Sequence, residues 1–174
     1  EAFLNLGRPN NGGTKIFSVS GDVARPGNYE VRLGTPFATL LEMAGGMRDG
    51  RALKACIPGG SSMPVVPGDL MMATDMDYDS IAKAGSMLGS AGTMVMDDTV
   101  CMVWMAQKLT YFYKHESCGK CSPCREGTGW MLRILNGIEA GRGTEKDLDL
   151  LAEVCDSIGG KTLCPFGDAE IAPV

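Results

Sequence analysis

Residues His115–Gly129 read HESCGKCSPCREGTG and set Cys118, Cys121 and Cys124 with two residues between neighbours. On one continuous helix these thiols would spread over roughly 9 Å along the axis, at about 1.5 Å per residue, so a helical segment cannot bring all three to one object. The segment has to curl. Gly119 supplies backbone freedom between the first two cysteines, and Pro123 fixes φ just before the third. The stretch is thus a loop, and it divides the helical patterns on either side of it.

Before the loop, Met102, Met105, Ala106, Leu109, Phe112 and Tyr113 form an apolar stripe of helical period, which predicts about four turns of amphipathic helix. Asp97, Asp98 and Thr99 are expected to cap its start. After the loop, Met131, Ile134, Leu135 and Ile138 repeat the stripe up to Gly141. Thr144 and Asp147 then resemble a capping box, followed by Leu148, Leu151, Cys155 and Ile158 and a stop at Gly159-Gly160. Short connections make successive helices antiparallel, so residues 98–174 read as a helical bundle.

The first half has another rhythm. Ile16 to Val31, IFSVSGDVARPGNYEV, alternates apolar and polar side chains on both sides of Pro26-Gly27, the pattern of a β-hairpin with one buried face. Phe37, Leu40, Leu41 and Ala44 then follow helical spacing until Gly45-Gly46. ALKACIPGG and the later GTMVMDD read as further strands. Residues 16–97 therefore form a small α+β domain. Residues 1–15, with the polar LGRPNNGGTK, read as a linker from something upstream.

Composition narrows the function. The 174 residues carry 21 acidic and 16 basic side chains, a formal charge of −5, with no basic block, which argues against nucleic-acid binding. No apolar run reaches the roughly 20 residues of a membrane span, so no direct membrane insertion is expected. Seven unevenly spaced cysteines suit metal binding in a reducing compartment better than a disulfide framework.

A single zinc usually takes cysteines as spaced pairs, whereas a 4Fe-4S cube offers separate irons to consecutive cysteines. The triplet favours the cube. Zinc held by a non-catalytic interaction module is the competing reading. Four other cysteines compete for the fourth ligand position. Cys155 lies on an apolar stripe, Cys101 inside the first bundle helix and Cys56 in the other domain. Cys164, in KTLCPFGD after the glycine break, lies where an antiparallel helix pair would return to the triplet. Lys114, Lys120 and Arg125 flank the thiols and are expected to lower their pKa. A helix starting near Arg125 would point its positive end at the site, and N–H groups around Gly119 and Gly127 would donate to sulfur.

ESCGKCSPCREGT with a later cysteine at 164 resembles the NADH-oxidising, FMN-containing subunit of respiratory complex I and its relatives in NAD-linked hydrogenases and formate dehydrogenases. SVSGDVARPGNYEV, AGGM and IPGGSS resemble the ubiquitin-like β-grasp (SLBB) domain of that family. The resemblance implies an α+β chain in which a β-grasp domain precedes an all-α four-helix-bundle iron-sulfur domain. It implies that Cys118, Cys121, Cys124 and Cys164 hold a 4Fe-4S cluster, which takes electrons one at a time from NADH-reduced FMN and passes them towards quinone. The implied partners are an upstream flavin/NADH domain of the same chain and other iron-sulfur subunits. The implied location is the cytoplasmic or mitochondrial-matrix side, peripheral to the inner membrane. No glycine-rich phosphate loop is present, so this stretch alone is expected to bind neither FMN nor NADH.

Other features read as structural. His115, the single histidine, is expected at a helix end, the methionines in cores, and Trp104 and Trp130 as packing residues. Asp75, Asp77 and Asp79 in TDMDYD hint at calcium, but the Gly and Glu of an EF-hand loop are not at their places.

Overall fold

The computed structural model describes residues 2–174. The chain forms two compact units, Glu1–Thr99 and Val100–Val174. The first is a mixed sheet covered by helices and the second is all helical, so the chain is α+β.

In the first unit, β1 (Gly7–Arg8) and β2 (Asn11–Gly12) form a small hairpin ahead of β3 (Thr14–Gly21) and β4 (Gly27–Arg32). The expected hairpin is β3 and β4, antiparallel with Phe17 opposite Tyr29. β5 (Thr35–Pro36) leads into α1 (Phe37–Met43), which buries Phe37, Leu40 and Leu41 and ends at Gly45-Gly46 as its spacing predicts. Then come β6 (Leu53–Ile57), β7 (Val66–Pro67), α2 (Gly68–Met72), β8 (Asp75–Met76), α3 (Tyr78–Lys83) and β9 (Gly92–Asp97). The sheet order is β4-β3-β9-β6-β7, with β9 parallel to β3 and antiparallel to β6. A strand late in sequence thus fills the centre of the sheet, and apolar side chains including Phe17, Leu40, Met71 and Ile81 pack out of water beside it.

The second unit contains α4 (Met102–Glu116), α5 (Ser122–Glu139), α6 (Glu145–Ile158) and α7 (Phe166–Ile171). α5 packs against both α4 and α6, and short α7 touches all three. Gly127 sets the approach of α5 to α6: a Cβ there would lie 2.6 Å from Cδ1 of Ile158, so only glycine fits without a shift. The capping box at Thr144 and Asp147 is present, with the Thr144 N–H donating to Oδ2 of Asp147 at 2.7 Å.

The helix stripes differ from expectation in detail. Asp97 does not cap α4; its Oδ1 accepts from the N–H and hydroxyl of Thr99, at 2.8 and 2.5 Å. α4 begins at Met102 with Cys101 as its N-cap residue, so Cys101 is not inside the helix. Its buried face is Met105, Ala106, Thr110 and Tyr113, while Phe112 is about half exposed at 48%. On α6 the buried residues are Leu151, Val154 and Ile158, and Leu148 faces solvent. On both helices the buried face differs from the stripe because tertiary partners, α5 and α7 in each case, select which residues are covered. Among the described residues no helix is long and apolar enough to cross a membrane.

Candidate metal centre

The expected loop is shorter than the sequence implies, with residues 117–121 alone lying between the helices. α4 ends at Glu116, Gly119 adopts φ +75°, and α5 begins at Ser122 with Cys121 as its N-cap residue. A left-handed residue is what turns the chain back within so short a span. Pro123 lies in the first turn of α5, where a missing N–H costs no intrahelical bond. The helix thus starts before Arg125, and Cys124 sits on it. The Thr128 hydroxyl donates to the carbonyl of Cys124 at 2.8 Å, which ties that cysteine to the next turn.

Cys118, Cys121, Cys124 and Cys164 line a single cavity of about 150 Å³, together with Ser117, Lys120, Thr162 and Phe166. The structure brings together all four cysteines of the predicted set. Cys56, Cys101 and Cys155 stand elsewhere. Cys56 is fully buried in β6, where burial pushes its thiol pKa up, as suits an inert core side chain. Cys155 is partly buried against the helical core. Among the described residues, no three His, Cys, Asp or Glu side chains converge closely enough to hold one metal ion. The four thiols instead surround a space.

Two loops make this arrangement, and specific bonds join them. The Leu163 N–H donates to Sγ of Cys121 at 3.4 Å, linking the segment before α7 to the triplet. The Phe166 ring meets Tyr113 edge-on, with centroids 5.4 Å apart, and anchors the start of α7 on α4. Gly160 N–H donates to Oδ1 of Asp168 at 2.7 Å and holds the turn after α6.

The electrostatics differ from the sequence expectation. Arg125 donates to the carbonyl of Gly119 at 2.7 Å and pairs with Glu126, so it braces the loop and does not face the thiols. Burial pushes the Cys124 thiol above its ordinary pKa; the Ser117 hydrogen bond works the other way, and Glu170 and the neighbouring cysteines add to the rise. The expected N–H donor at Gly119 is engaged differently, and Gly127 lies within α5. Gly119 N–H donates to Oγ of Ser117 at 3.3 Å, and Gly127 serves the α5–α6 contact.

Glu170 is the residue that sequence reasoning missed. It is fully buried on α7, and the Cys124 thiol donates to its Oε2 at 3.9 Å while Oε1 has no hydrogen-bond partner among the described residues. Burial raises its pKa to about 8. A lone acid in FGDAEIAPV carries no local signal of burial; its position follows from the packing of α7 on three other helices.

His115 is exposed in the last turn of α4, where a cation suits the helix end. Trp104 and Trp130 are half exposed and do not sit in the core. Asp75, Asp77 and Asp79 are consumed locally. Arg8 pairs with Asp75 and lies 3.5 Å from Asp77, Asp77 accepts the Ser80 N–H at 2.7 Å as N-cap of α3, and Asp79 accepts from Asn11 at 2.8 Å.

A helical unit whose cysteines ring one end is the architecture of a cluster-binding module, and the comparisons agree with that class. Residues 104–174 match the family described as the NADH-ubiquinone oxidoreductase-F iron-sulfur binding region, and residues 16–66 match the SLBB domain. Along nearly its whole length the chain is similar to the F subunits of bacterial NADH-quinone oxidoreductases. It is 47% identical to that of Rickettsia bellii over 174 residues, 99% of this chain and 42% of the relative. It is 45% identical to that of Streptomyces coelicolor over 172 residues, 99% of this chain and 38% of the relative. Among solved structures, an NAD+-reducing [NiFe]-hydrogenase in the air-oxidized state superposes with a TM-score of 0.87 at 29% identity, covering 99% of this chain and 29% of that one. The chain therefore spans about two fifths of the length of these curated relatives or less.

Proposed function

We propose that this chain is the electron-relay part of an NADH:quinone oxidoreductase subunit, with Cys118, Cys121, Cys124 and Cys164 as the four ligands of a 4Fe-4S cluster. The observation that carries this reading is the convergence of the triplet and Cys164 on one cavity. The donor set fits the group. Four thiols placed around a space, and not around a point, suit a cube with four separate irons better than one tetrahedral ion. A bound cluster would supply reversible one-electron storage.

The chain's own residues do the rest. Cys121 and Cys124 are held at the start of α5, where the helix end favours negative charge. Leu163 N–H and Ser117 aim hydrogen bonds at two of the sulfurs, and Phe166 closes one wall of the cavity. Strand order β4-β3-β9-β6-β7, with a parallel central pair and α1 crossing between hairpins, supports a ubiquitin-like β-grasp fold for residues 16–97. Three long helices with α7 support a four-helix bundle for residues 98–174. The expected linker over residues 1–15 is corrected, since β1, β2 and the start of β3 fold into the first unit. A flavin and NADH domain of the intact protein would bind FMN and NADH there and not in this stretch. The partners are that domain and further iron-sulfur subunits, with the complex at the cytoplasmic or matrix face of the inner membrane.

Anaerobic reconstitution tests the reading. About four irons and four acid-labile sulfides per chain are expected, the composition of a cubane centre. One zinc per chain without sulfide, or a full cluster signal in Cys164→Ala, would overturn it.

A further inference from the structure

Cys124 differs from the other three thiols in its surroundings. It is buried, whereas Cys118 and Cys164 are exposed and Cys121 lies between. The Ser117 hydroxyl oxygen is 3.2 Å from its sulfur, the shortest polar approach to any of the four. Ser117 is the C-cap residue of α4, held by its own N–H donating to the Tyr113 carbonyl at 2.9 Å. It leaves the helix in an extended conformation, φ −60° and ψ 126°, and lines the cavity. The same hydroxyl oxygen accepts the Gly119 N–H. That bond occupies an acceptor lone pair and leaves the hydroxyl proton free to point at sulfur.

In the thiol state either atom can donate across the 3.2 Å contact. A sulfur bound to iron has no proton, so the hydroxyl becomes the only possible donor of the pair. A donor aimed at a ligating sulfur withdraws electron density from the centre. It stabilises the more negative, reduced state more than the oxidised one.

We propose that Ser117 is a positioning residue that sets the reduction potential of the cluster, by donating its hydroxyl hydrogen bond to the Cys124 sulfur while its oxygen holds the loop at Gly119. The inference rests on the four-cysteine reading above. It assigns the tuning of the centre to a side chain outside the ligand set, on the helix that precedes the cysteines.

The test uses the full chain, reconstituted anaerobically with iron and sulfide and titrated electrochemically while the reduced centre is followed by electron paramagnetic resonance. Ser117→Ala removes only the hydroxyl, and its backbone dihedrals suit alanine. The expected result is unchanged iron and sulfide content with a lower midpoint potential. At fixed potential the reduced-to-oxidised ratio should fall about tenfold, the scale of one hydrogen bond to a charged group, equal to about 59 mV for one electron. An unchanged midpoint at full cluster content would overturn the inference and leave the four-cysteine reading standing. If the alanine variant fails to hold the centre, the isosteric pair Ser117→Thr and Ser117→Val decides. Threonine alone keeping the native centre supports the inference; identical behaviour of the two overturns it. Absence of sulfide in the unsubstituted chain would overturn both readings together.

Discussion

Two clusters of ionisable side chains stand in this molecule, and their neighbours treat them in opposite ways. In the strand-rich unit, Asp75, Asp77 and Asp79 alternate in a pattern that hints at calcium, yet each carboxylate finds a protein partner in Arg8, the first turn of α3 or Asn11. In the helical unit, the four cysteines surround a cavity and receive few hydrogen bonds, and Glu170 beside them keeps one buried oxygen unpartnered. A carboxylate cluster closed upon itself has committed its lone pairs to the fold. A thiol cluster left open keeps its sulfurs uncommitted to the fold, and native proteins rarely leave buried polar atoms unsatisfied without a functional reason.

The largest expected effect separates the two clusters outright. Replacing Cys118, Cys121 or Cys164 by alanine should abolish the stoichiometric iron and sulfide of the reconstituted chain. Asp77→Ala should leave iron content intact. Calcium offers the reverse check: its addition should not raise the unfolding temperature of the strand-rich unit, and a clear rise would show that its carboxylates are not closed.

Glu170 sharpens the comparison through pH. Its folded pKa of about 8 lies above the ordinary carboxylate value of 4.5, so the folded, iron-free chain holds a proton that the unfolded chain releases. Stability from this group is full below about pH 4.5 and is lost as pH rises towards 8. Glu170→Gln should flatten that dependence in chemical denaturation of the iron-free chain. The gain at the alkaline end should be about 1–3 kcal/mol, the scale of one buried unsatisfied group. An unaltered pH slope would show that the carboxyl is hydrated in solution.

Gly127→Val comes next, because its side chain must displace Ile158 from a well-packed contact. A loss of about 1–3 kcal/mol is expected from overpacking, read as a lower denaturation midpoint. Thr144→Ala and Asp77→Ala remove one helix cap in each unit and should each cost about 1 kcal/mol. Equal small losses would show that the two units differ at their ligand clusters and not in ordinary helix chemistry.

How far these features were legible depends on how local their causes are. The hairpin around Pro26-Gly27, α1 with its glycine stop and the curl at Gly119 follow from alternation, spacing and φ preferences within a few residues. The grouping of Cys164 with the triplet was legible because a helix pair with a short turn must return near its start. α2 and α3 were not read, since five- and six-residue helices show less than two turns of period and owe their place to the sheet beneath. On α4, Thr110 and not Phe112 is buried, a choice made by the neighbouring helices and not by the stripe itself. Arg125 looked like a counter-charge for sulfur, but its guanidinium donates to the Gly119 carbonyl instead. Glu170 was invisible because its surroundings come from distant parts of the chain.

The uneven exposure of the four thiols has a chemical corollary. Cys118 and Cys164 face solvent while Cys124 is buried, so a diffusing peroxide meets the exposed pair first. Oxidative damage to the iron-free chain therefore starts at the rim, as sulfenic acids that a reductant can still reverse, and the inner wall outlasts it.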